Sequence, residues 1–250
     1  MGDNAIQKTI TLSVACYRPE ECPAPFFRHF EVPFKKEWVV LDALHYIKDQ
    51  VDATITYRWS CRMGVCGSCG MLLNGVPKLA CASYLSDYVP GPIVVEPLSY
   101  FPVVRDLVVQ FDAFVEKLAR VRPWIIREDK ASRDEEYLQT PDQVEIYRQY
   151  SLCINCALCY AACPVYGLEP DFTGPAAIAL AQRYNLDSRD RGSLERMEIC
   201  NGSGGIWQCT FVGECSEVCP KNVDPSGAIQ RYKLDSALAH LKSLLPPWRK

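Results

Sequence analysis

The first hundred residues alternate apolar and polar positions in the manner of short β-strands, with one helical stretch between them. The alternation predicts a strand over residues 6–16, a pairing strand over 30–32 and a further strand over 93–95. Residues 70–79 contain an Asn-Gly turn between two apolar runs, which predicts a β-hairpin. Residues 40–51 have the spacing of a helix with one buried face. That face comprises Leu41, Leu44, Ile47 and Val51.

Helical spacing dominates the rest of the chain. Asp106 is the expected N-cap of the first helix. Thr140 and Gln143 have the spacing of a capping box at the start of another. The polar run over residues 127–136 is expected to be a solvated connection. Helices are predicted over residues 107–121, 141–150, 174–184 and 224–244.

Composition and charge narrow the classes of function. The chain has 250 residues, of which 48% are hydrophobic, and a net charge of −3. A nucleic-acid partner usually requires a basic face, so this class is disfavoured. No stretch approaches the roughly 20 apolar residues that span a bilayer, and the start has no signal-peptide pattern. We therefore expect another subunit to provide any membrane attachment.

The chain carries 14 cysteines, and all but Cys16, Cys22 and Cys200 fall into three groups. A chain with this many core residues does not need disulfide staples. Clustered cysteines without a secretion signal indicate metal or redox chemistry. The three cysteines outside the groups are expected to be ordinary packing thiols.

The first cysteine set reads Cys61-x4-Cys66-x2-Cys69, followed by Cys81. This is the spacing of plant-type ferredoxins, which hold a [2Fe–2S] cluster. The glycines between the cysteines let the backbone approach such a cluster closely. A four-cysteine zinc site is the alternative, but zinc ribbons usually use two separated Cys-x2-Cys pairs. We therefore predict that these four cysteines hold a [2Fe–2S] cluster.

Cysteines later in the chain have the spacing of bacterial two-cluster ferredoxins, Cys153-x2-Cys156-x2-Cys159-x3-Cys163-Pro. In such proteins the fourth cysteine of a run binds the other cluster. Applied to this chain, the rule predicts two further cysteine sets. The second cysteine set, for a [4Fe–4S] cluster, is Cys153, Cys156, Cys159 and Cys219. The third cysteine set is Cys163, Cys209 and Cys215.

Val212 distinguishes the third cysteine set from the second. It occupies the place of a middle cysteine between Cys209 and Cys215. Valine cannot bind iron, and a cubane corner without a ligand is easily left empty. We therefore predict a [3Fe–4S] cluster at the third set.

These features predict an α+β fold in two domains. Residues 1–105 are expected to form a β-grasp, plant-type [2Fe–2S] ferredoxin domain. Residues 106–250 are expected to form an all-helical, bacterial-ferredoxin-like domain with the [4Fe–4S] and [3Fe–4S] clusters. Three clusters in one chain indicate electron transfer.

The motifs resemble the iron–sulfur subunit of the succinate dehydrogenase and fumarate reductase family over essentially the whole chain. The resemblance rests on the stretches 57–63, 66–70, 77–81 and 216–221 and on the valine substitution. Within that family the chain is more similar to bacterial quinol:fumarate reductase. The stretch Val165-Tyr166-Gly167-Leu168 lies where the dehydrogenase type usually has a tryptophan pair, and Thr210 lies where it commonly has a histidine.

The resemblance implies partners and a location. It implies a flavoprotein subunit with FAD, which binds the dicarboxylate, and two hydrophobic membrane-anchor subunits at the cytoplasmic face of the bacterial inner membrane. Electrons would pass from menaquinol through [3Fe–4S], [4Fe–4S] and [2Fe–2S] to FAD, which reduces fumarate to succinate in anaerobic respiration. It also implies that Gln230, Lys233 and Trp207 lie at the quinol edge. The alternative for Gln230 and Lys233 is a solvated helix face.

Three other hypotheses remain open at this point. The same subunit serves succinate dehydrogenase, which passes electrons from succinate to quinone in the tricarboxylic acid cycle. Iron–sulfur subunits of other flavoenzymes, such as glycolate or glycerol phosphate dehydrogenase, often have cysteine-rich C-terminal domains, which are absent here. A zinc-stabilised adaptor would have no redox role, and metal analysis would identify it.

Overall fold

A computed structural model describes residues 9–20, 22–127 and 136–244. Contacts divide these residues into two compact units. Unit 1 contains the described residues up to Phe111 together with Cys156–Ala162. Unit 2 contains Asp112–Asn155 and the described residues from Cys163 onward. The domain ranges expected from the sequence, 1–105 and 106–250, stay predictions beside this contact-based division.

Unit 1 is built on a five-stranded sheet with the strand order β2-β1-β5-β3-β4. The strands are β1 (Thr9–Arg18), β2 (Cys22–Pro33), β3 (Gly70–Leu73), β4 (Val76–Leu79) and β5 (Ile93–Glu96). β1 pairs antiparallel with β2 and parallel with β5, and β3 pairs antiparallel with both β4 and β5. The predicted strands and the hairpin are confirmed, although residues 6–8 of the first lie outside the described residues.

The hairpin turn follows from its two residues. Asn74 and Gly75 both have positive φ, 50° and 79°, as a two-residue turn that matches strand twist requires. Asn74 also donates its N–H to the carbonyl of Val94 and accepts the N–H of Val94 at its side chain. The turn is therefore bonded to β5 as well as joining β3 to β4.

The first helix of unit 1 packs against β2 of this sheet. Helix α1 (Val40–Tyr46) continues into a π-helical turn, Ile47–Val51. The prediction that Val51 belongs to the buried face is wrong, because its side chain is 55% exposed. The π turn, closed by Asp52 N–H donating to the carbonyl of Ile47 at 2.7 Å, winds more widely than an α-helix and rotates Val51 off that face.

Asp106 is not a helix N-cap, so that prediction is also wrong. It lies in a small hairpin between β6 (Val103–Arg105) and β7 (Val108–Val109). Its buried carboxylate accepts the backbone N–H of Tyr17 at 3.0 Å and that of Thr56 at 2.9 Å. The carboxylate therefore satisfies partly buried backbone donors rather than a helix end.

The α-helices that follow α1 all lie in unit 2, except for α5, which belongs to unit 1. The helix predicted over 141–150 is split into two helices. Its capping box is present, because the N–H of Gln143 donates to Thr140 Oγ1 and the N–H of Thr140 donates to Gln143 Oε1. The helices after α1 are α2 (Asp112–Arg120), α3 (Pro141–Glu145), α4 (Arg148–Ser151), α5 (Leu158–Ala161), α6 (Pro164–Leu168), α7 (Pro175–Asn185), α8 (Ser193–Asn201), α9 (Glu214–Glu217) and α10 (Pro225–Leu244).

Helices α7 and α10 form the centre of unit 2. The face of α10 that packs inward carries Ala228, Ile229, Tyr232 and Ser236. The leucines of the same helix, Leu234, Leu238, Leu241 and Leu244, are exposed. The predicted polar connection over 127–136 lies almost entirely outside the described residues. In the described part of the chain, no helix combines the length and apolar character needed to cross a membrane.

Candidate cluster-binding sites

The first cysteine set converges in unit 1, where backbone N–H groups point at its sulfur atoms. Val65 and Cys66 donate their N–H groups to Cys61 Sγ at 3.3 Å and 3.2 Å. Gly64 donates to Cys81 Sγ at 3.2 Å. Such N–H donors stabilise the negative charge that thiolate ligands carry. The geometry therefore suits sulfur ligands of an anionic group.

The loop reaches this shape through left-handed backbone positions. Gly64 and Gly67 have φ of 66° and 76°, a region that glycine adopts without steric cost. Cys81 lies in a 3₁₀ turn directly after β4, and Ala80 donates its N–H to the carbonyl of Cys69 at 3.1 Å. The hairpin thus places the fourth cysteine against the loop that holds the other three.

The thiols of the first set are in two different environments. Hydrogen bonds from Ser68 and then from the Cys61 backbone lower the pKa of Cys66 to about 6. Burial raises the pKa of Cys69 to about 12. Metal ligation requires thiolates. The chain itself therefore stabilises the thiolate of Cys66, whereas the thiolate of Cys69 requires the positive charge of bound iron.

Contacts outside the cysteine motif fix the segment that leads into this loop, and the sequence did not predict them. Tyr57 Oη and His45 Nδ1 are 2.7 Å apart, and the Trp59 ring meets the His45 ring edge-on at 4.6 Å. Arg58 donates to the carbonyl of Val109 at 2.8 Å. No signal in the sequence links His45 to Tyr57.

The cysteines of the second set belong to two different compact units. Cys153 and Cys219 pack against Tyr150, Ala179, Val223 and Ala228 in unit 2. Val223 donates its N–H to Cys219 Sγ at 3.3 Å. Cys156 and Cys159 belong to the segment Cys156–Ala162 of unit 1. The assignment of these four cysteines to one cluster stays a prediction.

The third cysteine set lines a cavity within unit 2. Cys163, Cys209, Cys215 and Val212 are among the residues that line this cavity. Tyr166 N–H donates to Cys163 Sγ and Phe211 N–H to Cys209 Sγ, both at 3.4 Å. Burial, reinforced by the nearby Cys163 sulfur, raises the pKa of Cys215 to about 12. Three sulfur atoms and a valine therefore surround one space.

This donor set fits a cluster of several irons. The cavity lining includes three thiols and, at the fourth position of the ferredoxin pattern, a side chain without a donor atom, which suits a [3Fe–4S] group. Among the described residues, no three His, Cys, Asp or Glu side chains converge as the ligands of a single metal ion would.

The structure brings the predicted quinol-edge residues together at Cys209. Gln230 Nε2 lies 3.8 Å from Cys209 Sγ, and Lys233 Nζ donates to the Cys209 carbonyl at 2.7 Å. Lys233 Nζ is 5.9 Å from the centroid of the Trp207 ring. Trp207 is 56% exposed and donates its Nε1–H to Asn201. The three residues form one group beside the cavity, but their contact with quinol stays a prediction.

The three cysteines outside the sets differ in how deeply they are buried. Cys16 and Cys200 are fully buried, and burial raises the pKa of each to about 11. Both therefore remain thiols at neutral pH. Cys22 is partly exposed.

Two family models match the chain. The model described as a 2Fe-2S iron-sulfur cluster binding domain matches residues 11–116. The model described as a 4Fe-4S dicluster domain matches residues 145–220. The two matches fall on the first cysteine set and on the cysteine-rich helical region, respectively.

Relatives with assigned activities match nearly the whole chain. A fumarate reductase iron-sulfur subunit of Mycobacterium tuberculosis is 59% identical over 96% of this chain and 97% of its own. A subunit of the same description from Escherichia coli is 51% identical over 97% of this chain and 99% of its own. A succinate dehydrogenase iron-sulfur subunit of Coxiella burnetii is 34% identical over 90% of this chain and 96% of its own.

A solved structure has the same fold. A chain in the structure titled Mycobacterium smegmatis Sdh1 complex in the apo form superposes with a TM-score of 0.83 at 24% identity. The match covers 95% of this chain and 99% of that chain.

Proposed function

The chain belongs to the family of fumarate reductase and succinate dehydrogenase iron–sulfur subunits, and from that membership we propose that it is the electron-transfer subunit of a membrane-bound fumarate reductase. The observation that carries this proposal is the greater identity to fumarate reductase subunits, 59% and 51%, than to the succinate dehydrogenase subunit, 34%. The chain's own part in such an enzyme is to move electrons, and the dicarboxylate site lies on a partner.

The cofactors are a [2Fe–2S], a [4Fe–4S] and a [3Fe–4S] cluster. When bound, these clusters accept and release single electrons. We assign them to the first, second and third cysteine sets, in that order. The N–H groups of Gly64, Val65 and Cys66 support the first assignment, and the cavity at Val212 supports the third.

The protein contributes charge stabilisation and exclusion of water at these sites. Backbone N–H groups that donate to cysteine sulfur favour the reduced, more negative state of a bound cluster and so raise its reduction potential. Cys69 and Cys81 are buried, as are Cys163 and Cys215, which keeps water from those ligands.

We propose that the partners are an FAD-containing flavoprotein subunit and two hydrophobic membrane-anchor subunits, with the complex at the cytoplasmic face of a bacterial inner membrane. Exposed apolar side chains adjoin both sites that would exchange electrons with partners. Met63 and Val65 lie on the loop of the first cysteine set, and Trp207, Phe211 and Val212 lie by the third. Apolar groups gathered at the surface in this way mark interaction sites.

Menaquinol is the proposed electron donor, and it would be oxidised beside the third cysteine set. Lys233 and Gln230 present an ammonium and an amide within reach of Cys209, and the Trp207 ring lies next to Lys233. An ammonium group and an amide are suitable hydrogen-bond donors for a quinone oxygen. The shared position of these three groups favours a binding role over a solvated helix face.

The direction of catalysis is tested on membranes that contain the assembled complex. Fumarate-dependent oxidation of a menaquinol analogue is compared with succinate-dependent reduction of a ubiquinone analogue. We expect the first rate to dominate. If the second dominates, the chain serves a succinate dehydrogenase, which is the second candidate that the 34% identical relative supports.

A further inference from the structure

Lys117 is a partly buried cation in unit 2 that the cluster motifs do not include. It lies on α2, and its ammonium donates to the carbonyl of Phe172 at 2.9 Å. The same nitrogen lies 5.6 Å from the centroid of the Tyr166 ring, a distance at which the face of an aromatic ring attracts a cation. Both contacts orient the positive charge inward.

This charge is only weakly compensated. Among the described residues, no carboxylate lies within ion-pair distance of Lys117. Asp171 acts on it from further away, as does the positive charge of Arg120, and burial lowers the pKa of Lys117. Asp171 is itself exposed, so solvent screens its charge. The positive charge of Lys117 is therefore available to other groups in the interior of unit 2.

Both contacts of Lys117 lead to the third cysteine set. Tyr166, whose ring faces the ammonium, donates its backbone N–H to Cys163 Sγ at 3.4 Å and is buried. Phe172, whose carbonyl accepts from the ammonium, lines the cavity that Cys163, Cys209 and Cys215 share. In each case a single residue, Tyr166 or Phe172, connects the ammonium of Lys117 to the third cysteine set or its cavity.

We infer that Lys117 is a positioning residue for electron transfer that raises the reduction potential of the cluster at the third cysteine set. The inference rests on the proposed function, because it assumes that a [3Fe–4S] cluster occupies this cavity. Reduction of that cluster adds one electron and no proton at Lys117. The more negative reduced state is stabilised by a nearby positive charge in a medium of lower dielectric constant than water.

The consequence concerns the direction of electron flow. A higher potential at the cluster beside the quinol candidates favours transfer of an electron from menaquinol into the chain. Replacing the ammonium by a neutral group of similar length should reduce the equilibrium constant for cluster reduction about tenfold, which corresponds to a fall of about 59 mV for a one-electron couple.

The test is a redox titration of the assembled complex in membranes, followed by the paramagnetic signal of the oxidised three-iron cluster. Lys117→Met and Lys117→Gln remove the charge, and Lys117→Arg keeps it. Lys242→Met is the matched control, because Lys242 is an exposed lysine near the end of α10. We expect the potential to fall in both neutral variants, to stay near the wild-type value in Lys117→Arg and to be unchanged in the control.

The outcomes separate this inference from the proposed function. If the wild-type complex lacks the three-iron signal, the cluster assignment is wrong and the inference fails with it. If the signal is present but the cluster has the same reduction potential in Lys117→Met and Lys117→Gln as in Lys242→Met, the inference alone is overturned. A potential that falls equally in Lys117→Arg also overturns it, because the side chain would then act through packing rather than charge.

Discussion

At the scale of single residues, Val212 is the position that sets the third cysteine set apart from the second. Val212 lines the cavity of the third set at the position where the ferredoxin pattern has a cysteine. Its side chain offers no electron pair to iron, so the chemistry of one position distinguishes a three-iron from a four-iron group. The three-iron assignment follows from cysteine spacing and residue type without any knowledge of packing, and it stays a prediction.

Val212→Cys is expected to convert the [3Fe–4S] cluster towards [4Fe–4S]. The new thiolate would supply the missing fourth ligand. The oxidised-state paramagnetic signal should then be lost in proportion to the conversion, as measured in the purified complex. Val212→Ala serves as the control, since it opens the same space without a ligand and should leave the signal in place. An unchanged spectrum in Val212→Cys would contradict the ligand assignment.

Lys233→Leu is expected to slow menaquinol oxidation at least tenfold, because a lost hydrogen bond to a charged group costs about 1.5–3 kcal/mol. Fumarate reduction by a viologen dye should stay within twofold of the wild-type rate. The dye delivers electrons without the quinol site. Lys242→Leu is the matched control and should affect neither rate. Equal loss of both rates in Lys233→Leu would show that the residue supports the cluster rather than quinol.

At the scale of elements, helix α8 is joined to the preceding segment by a buried ion pair. The guanidinium of Arg196 donates to both carboxylate oxygens of Asp190 at 2.7 Å and 2.8 Å. It also donates to the carbonyls of Arg122 and Trp124. Asp190 in turn accepts the N–H groups of Ile126 and Gly192. One pair thus satisfies backbone groups from two separate segments.

Arg196→Met is expected to destabilise unit 2 by about 3–5 kcal/mol, because it leaves the Asp190 carboxylate buried without its partner. The measurement is the temperature at which the clusters of the complex bleach, which should fall clearly. Arg231→Met, which removes an exposed member of an i,i+4 pair, should shift that temperature little. An equal shift in both variants would contradict the role given to the buried pair.

The ion pair of Arg196 and Asp190 also implies that the stability of the fold decreases at acidic pH. Burial opposes ionisation of Asp190, but hydrogen bonds from Arg196 prevail and hold its pKa below the usual range. A depressed folded-state pKa stabilises the fold above the unfolded value, which is about 3.9, and this stabilisation is lost as the pH falls through the folded pKa. Asp190→Asn should therefore show a weaker loss of thermal stability between about pH 5 and pH 3 than wild type. A loss as steep as that of wild type would contradict this role.

Elements with regular local signals were predictable, and those shaped by distant contacts were not. The Asn74-Gly75 turn and the capping box at Thr140 form as expected, since each depends on neighbouring residues only. Asp106 was misassigned because its carboxylate bonds Tyr17 and Thr56, far away in the sequence. Val51 was misplaced because a π turn interrupts the helical period. The ion pair of Arg196 and Asp190 gave no sequence signal.

At the scale of the whole molecule, all three clusters should be independent of Cys16, Cys22 and Cys200. These cysteines lie outside the ligand sets, and two of them are fully buried thiols. A variant with alanine at all three positions should retain wild-type amounts of iron and acid-labile sulfide and three distinct cluster signals. Cys219→Ser is the contrasting variant and should lose the [4Fe–4S] signal. Loss of any signal in the triple variant would contradict the assignments.

The membership of Cys156–Ala162 in unit 1 has a consequence for how the protein is made. Gly70, in β3, lies so close to this segment that a Cβ added there would come within 3.1 Å of Leu158 and 3.3 Å of the Cys156 carbonyl. A ribosome that has synthesised the chain as far as Phe111 has therefore not yet delivered everything that unit 1 contains. Unit 1 is completed only after residue 162 has left the ribosomal tunnel, when part of unit 2 has already been translated.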